Sequence, residues 1–265
     1  MSFDFGQDLA GLVWDGNMRI RKPRRNNRGL LYGDSDNLWA LWKGKEYRVV
    51  SKDNESWSIW QLHSFGNEPY IEPYIEGGED YRLVPVNPCK REIILPVTTT
   101  SVLLIGKRII VSNGFGIYEM DKGKIRDTEH KILGLAEYTD HHEEKKLCYT
   151  TRKGLIRDAM TDEVVSSTKV LEDEVLYVAT LGSNDNYKVQ DRQVKDFSNF
   201  LVAPRLKDVN ALAVHDGKLL AGTASCTIYD VLNDKPYHEA IAPVTNMLSV
   251  DGRAMGRLRK WMEEI

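Results

Sequence analysis

The chain has 265 residues, 42% of them hydrophobic and 28% charged, with a formal net charge of −3. This composition excludes an extended disordered polymer and a generally polyanion-binding protein, and it supplies enough chain for a sizeable core. No apolar run approaches the roughly 18–20 residues of a membrane-spanning helix.

The N-terminal MSFDFGQDLAG lacks both the basic and the apolar stretch of a secretory leader. The expectation is a cytoplasmic protein that engages no membrane. Cys89, Cys148 and Cys226 are odd in number and form no CxxC pair, which predicts neither a disulfide framework nor a zinc site. Cys148 and Cys226 lie in strand-like runs and read as small buried side chains.

In chain order, the first element is LAGLVWDG from residue 9, an apolar run ending in Asp15-Gly16. Asp-Gly suits the positive φ angles of a tight hairpin turn. The basic stretch MRIRKPRRNNRG follows, and then the 17-residue window RGLLYGDSDNLWALWKG from 28. This window recurs without gaps as KRIIVSNGFGIYEMDKG from 107, KKLCYTTRKGLIRDAMT from 145 and GKLLAGTASCTIYDVLN from 217. Each copy has an apolar pair at its third and fourth positions, then a turn, then Leu or Ile early in a second strand (Leu38, Ile117, Leu155, Ile228). The separations of 79, 38 and 72 residues are multiples of one period of 36 to 40. A strand-turn-strand repeat of that length is what a propeller blade produces.

Short apolar runs precede the windows: SVLLIG from 101, GLAEYTDHH from 134 and NALAVHDG from 210. Less regular copies open at SWSIWQL from 56, around EVLYVATLGSNDNYKVQD from 174, and at TNMLSVDGRAMGR from 245. Inner strands are thus expected near 9, 56, 101, 134, 168, 210 and 245, with EYRVVS, KIRDT, DEVVSS and KPYHEA as outer strands. The last unit is short, so closure requires a strand from elsewhere, and MSFDFG is the predicted donor. At the C-terminus, Leu258, Trp261, Met262 and Ile265 recur at helical spacing and predict a short helix.

On these repeats the chain resembles the seven-bladed β-propeller group, in the broad WD40-like or YVTN-like sense, over residues 1–265 as one domain. A six-bladed ring is the alternative. The Gly-His and Trp-Asp marks of WD40 blades are absent: the Trp14-Asp15 pair stands at an inner-strand turn. The resemblance implies an all-β fold and leaves function open, since propellers host scaffolds, glycosidases, lactonases and oxidoreductases alike.

Two functional readings compete. The first is a non-catalytic scaffold that binds an acidic protein partner, or a phosphate-rich ligand such as RNA, with no cofactor and no metal. Its candidate residues are Arg19, Arg21, Lys22, Arg24, Arg25 and Arg28, six cations without an acid; removing them takes the formal charge of the rest from −3 to −9. They read as an insertion in the first a–b connection, where arginines favour bidentate contacts to carboxylate or phosphate. Beside them stand Trp39, Trp42, Trp57 and Trp60, brought with Trp14 and Trp261 into one sector by ring closure, as indoles suited to interface anchors. The competing reading of these four is that they fill gaps between blades. The second function is a hydrolase or lyase with a carboxylate or metal site at the central channel, for which Asp15, His215, Asp216 and Asp251 are the strand-end candidates. DHHEEKK, residues 140–146, reads as a solvated turn, and no phosphate loop, nucleophile elbow or HExxH helix is present.

Overall fold

The computed structural model describes residues 13–14, 20–21, 28–34, 36–50, 61–65, 68–72, 82–87, 90–95, 99–105, 107–167, 175–182 and 185–265. Within them six antiparallel sheets form the blades of a ring. Blade 2 holds Gln61–Phe65, Glu68–Glu72, Arg82–Pro85 and Ile93–Ile94, and blade 3 holds Ser101–Ile105, Arg108–Ser112, Gly116–Glu119 and Gly123–Asp127. Ile132–Thr139, Lys145–Thr151, Leu155–Asp158 and Val164–Ser167 make blade 4; Val175–Leu181, Asp185–Gln190 and Gln193–Asp196 make blade 5. Blade 6 is Val209–His215, Lys218–Thr223, Thr227–Asp230 and Lys235–Glu239. The four expected outer strands all appear, at Lys45–Val49, Gly123–Asp127, Val164–Ser167 and Lys235–Glu239.

Blade 1 is built from both parts of the chain, in the order Asn246–Val250, Gly29–Gly33, Leu38–Trp42, Lys45–Val49 and Met262–Glu264. This corrects the expected seven blades to six. The run near 9 and the run near 245 had each claimed a blade, yet one blade needs one inner strand, and Asn246–Val250 takes that place against Gly29–Gly33. Val13–Trp14 pairs instead with Ile20–Arg21 in a two-stranded sheet outside the six blades. Closure therefore uses the C-terminal segment as both innermost and outermost strand, while MSFDFG lies outside the described residues.

The apolar pair of each window explains how the blades stack. Leu30 packs with Ala211, Leu220 and Ile228 of blade 6, whereas Leu31 packs with Leu62 and Ile71 of blade 2. Ile109 and Ile110 divide in the same way between blades 2 and 4, and Leu219 and Leu220 between blades 5 and 1. Successive strand residues point to opposite faces, so a sheet sandwiched on both sides needs two apolar neighbours in a row.

The C-terminal helix lies earlier than expected, at Gly252–Leu258. Asp251 caps it by accepting from the backbone N–H of Arg253 and Ala254, so this Asp-Gly opens a helix and not a hairpin. Ala254, Met255 and Leu258 pack against Trp42 and Val250. The chain then turns through Arg259–Trp261 and returns as the strand Met262–Glu264, which covers the edge of Lys45–Val49. Cys148 is buried as expected, but Cys226 sits half-buried in a turn at φ 59°.

Candidate functional site

Antiparallel alternation puts all a–b and c–d turns on one face of the disc and all b–c and d–a connections on the other. On the first face, Gly29 opposes Val250 at the end of the closing strand. Arg28, immediately before Gly29, is exposed there. The basic stretch is therefore not an insertion in an a–b connection: blade 1 takes its inner strand from the C-terminal segment, and residues 18–28 lead into its second strand. Arg19, Lys22, Arg24 and Arg25 lie outside the described residues, and Arg21 belongs to the strand Ile20–Arg21.

Trp39 and Trp42 are 5% and 8% exposed, which places them in the packing between blades and not on a surface. Trp39 stacks on Tyr32 with ring centroids 5.8 Å apart, against residues of blade 6, and Trp42 joins the core shared with blade 2 and the helix. Trp57 and Trp60 lie outside the described residues, and Trp14 is a member of the strand Val13–Trp14.

The channel between the inner strands holds two cavities. One, of 530 Å³, opens toward the d–a face and is lined by Thr100, Leu135, Thr150, Tyr177, Asn210 and Thr245 among others. Tyr177 of blade 5 donates to the Thr245 carbonyl at 2.8 Å, just ahead of the closing strand, and burial pushes its phenol up to about 12. The second cavity, of 450 Å³, opens toward the a–b face. Its wall mixes Leu135, Val178, Leu212 and Leu248 with Thr139, Thr180 and Lys145, and Glu137 is the one carboxylate among its lining residues.

Among the described residues the strand-end candidates for a channel site do not converge as a carboxylate set. Asp251 is committed to the helix cap, and Asp15 lies outside the described residues. Asp216 and Gly217, at φ 48° and 72°, form the two-residue turn of blade 6. His215 is 4% exposed; its Nδ1 is 2.9 Å from Ser249 Oγ and its Nε2 3.6 Å from Asp216 Oδ2. Burial, together with the charges of Arg28 and Lys218, holds its imidazole below the usual range. Among the described residues no group of three or more His, Cys, Asp or Glu is placed to hold a metal ion.

The DHHEE turn is organised by Asp140, which accepts from the backbone N–H of His142 and Glu144 and pairs with Lys146 at 2.6 Å. Lys146 holds the Asp140 carboxyl well below the usual carboxylate range. Two features escaped sequence reasoning. Ser249 meets His215 across 34 positions, through a strand whose blade was misassigned, and nothing in TNMLSV signals it. Lys188 is fully buried, donating to Ser166 Oγ, the Ser167 carbonyl and Asn199 Oδ1, although lysine is ordinarily a surface residue.

No family model and no curated protein matches the chain. Among solved structures it is similar to the WD40 β-propeller domain of Doa1, at 9% identity over 88% of this chain and 91% of that one, with a TM-score of 0.52. It is also similar to a protein of unknown function from Bacteroides caccae, at 11% identity over 84% and 99% of the two chains and a TM-score of 0.54. At such identities the likeness shows the fold alone: the chain is a β-propeller, with six blades and a WD40 propeller among its structural neighbours.

Proposed function

We propose that the protein is a propeller scaffold or adaptor that binds an acidic protein segment through its a–b face. The observation that supports this most is a register: Gly29 opposite Val250 puts the exposed Arg28, last of the six cations in residues 18–28, at that face. The same face carries apolar side chains on the rim of consecutive blades, Met160 of blade 4, Phe200 of blade 5 and Leu232 of blade 6, exposed to 67%, 71% and 47%. A cationic segment steers an acidic partner and apolar rim residues give it something to bury.

Changing Arg21, Lys22, Arg24 and Arg25 to Ala tests this. Folding should be almost unaffected, by less than about 0.5 kcal/mol, as for surface substitutions in general. The partner captured by the parent protein should be lost, and its association should slow and become less salt-dependent. Retention of every captured partner overturns the reading. A loss confined to RNA, with a flattened salt slope, transfers the role to the phosphate-rich ligand.

A further inference from the structure

We propose that Ser249 and His215 form a nucleophile–base pair that hydrolyses small carboxylic esters at the a–b mouth of the channel. The two residues stand on the inner strands of neighbouring blades, Asn246–Val250 and Val209–His215, so their spacing is set by the ring itself. Ser249 is half-buried and is one of the residues lining the 450 Å³ cavity. At 2.9 Å the Ser249–His215 contact is of hydrogen-bond length, and the tautomer with its proton on Nε2, toward Asp216, leaves Nδ1 free to accept from the serine.

The groups around the imidazole suit a base. Arg28 and Lys218 disfavour its cationic form, Asp216 offsets them in part, and the Tyr237 ring stands edge-on at 6.3 Å. It is therefore neutral at pH 7 and able to take a proton. Glu137 and Lys145 are the charged residues that line the cavity. Leu135, Val178, Leu212 and Leu248 give the wall an apolar side for a short acyl group, beside the polar Tyr138, Thr139 and Thr180.

In the acylation step Ser249 Oγ bonds to the acyl carbon while its proton passes to His215 Nδ1. The bond from that carbon to the alcohol oxygen then breaks, and the alcohol leaves with the proton. Water attacks the acyl-serine, giving up a proton to Nδ1. The acid departs as that proton returns to Oγ, so one ester and one water yield one acid and one alcohol.

A fluorophosphonate probe with mass-spectrometric mapping of the adduct tests the pair, with p-nitrophenyl butyrate turnover alongside. Ser249 should carry the label, Ser249→Ala should carry none, and His215→Gln should slow labelling by about 100-fold or more. The labelling rate of the parent protein should rise with pH through a midpoint below the ordinary histidine value. Thermal melts check that both variants fold. If His215→Gln does not fold, that pH profile and Ser249→Ala decide. Absence of label on Ser249, a pH-independent rate, or undiminished labelling of a folded His215→Gln overturns the proposal. None of these readouts involves the binding partner, so failure here leaves the scaffold reading standing.

Discussion

Three blades repeat one acid. Glu119, Asp158 and Asp230 each oppose the fourth residue of their window, Ile110, Cys148 and Leu220, and each is at most 7% exposed. Arg108 and Lys218, both at the second window position, reach Glu119 and Asp230 at 2.9 and 3.3 Å, whereas the equivalent Lys146 is drawn to Asp140. Hydrogen bonds from Arg108 and Lys122 hold the Glu119 carboxyl down at about 2. A folded value below the unfolded one contributes stability above the unfolded pKa and loses it as pH falls toward 2. Glu119→Gln should therefore flatten the acid side of the stability curve, read from urea unfolding at pH 3 and pH 7. Lys188 has the opposite consequence. Burial lowers its pKa to about 8 from 10.5, so the unfolded chain binds more protons between those values and stability rises as pH climbs through them. Lys188→Met should abolish that rise, and an unchanged rise would show the charge is not buried in solution. The acids lie inside the windows, where only the apolar positions were read, and Lys188 carries no sequence mark because its acceptors come from Ser166, Ser167 and Asn199, on a different blade or beyond the strand.

At the scale of strands, the sequence was most readable where two faces are buried at once. The 107, 145 and 217 windows all form the expected hairpins, since their paired aliphatics face both neighbouring blades. The inner strands were harder to assign, because a short apolar run before a turn looks the same whichever blade it joins. LAGLVWDG and TNMLSVDG each fit that pattern, and only pairing in space separates them. Helical spacing at 258–265 misled for a related reason: Met262 is needed on a strand that finishes blade 1, and edge pairing outweighs a weak periodicity. Close packing within blade 6 and against the segment that leaves it can be tested at Gly222, where an added Cβ would collide with Val244 and lie 3.2 Å from the Cβ of its cross-strand partner Ala211. Gly222→Ala should destabilise by about 1–3 kcal/mol, measured as a shift in the urea midpoint at constant slope. At Gly29 the nearest atoms to an added Cβ all belong to the unbranched Met255 side chain, which can shift more easily than Val244, so Gly29→Ala should cost less.

The whole molecule depends on one composite blade. Asn246–Val250 and Met262–Glu264 enclose three strands laid down some 200 residues earlier, with pairings such as Asn246 to Gly33 and Glu264 to Tyr47. The outer strand adds ion pairs between Lys45 and Glu264 and between Arg48 and Glu263, which at an exposed rim are screened by solvent and contribute little. Deleting residues 262–265 should thus lower the melting temperature by only several degrees. Deleting 246–265 removes the inner strand, the helix and the cavity wall together, and should abolish cooperative melting in calorimetry. A sharp transition in that truncation would mean the ring holds without its closing strand.

That seam also governs how the protein is made. At a synthesis rate of about 5–20 residues per second, Gly29–Gly33 waits some ten seconds or more for its inner partner. During that wait the faces of Leu30 and Leu31 and an unpaired strand edge belong to an open arc, which can pair with the arc of a neighbouring nascent chain as readily as with its own last strand. Polysomes crowded on one message should then yield domain-swapped or aggregated product, and circularly permuted chains whose ends fall in another blade would shift that vulnerability without altering the finished ring.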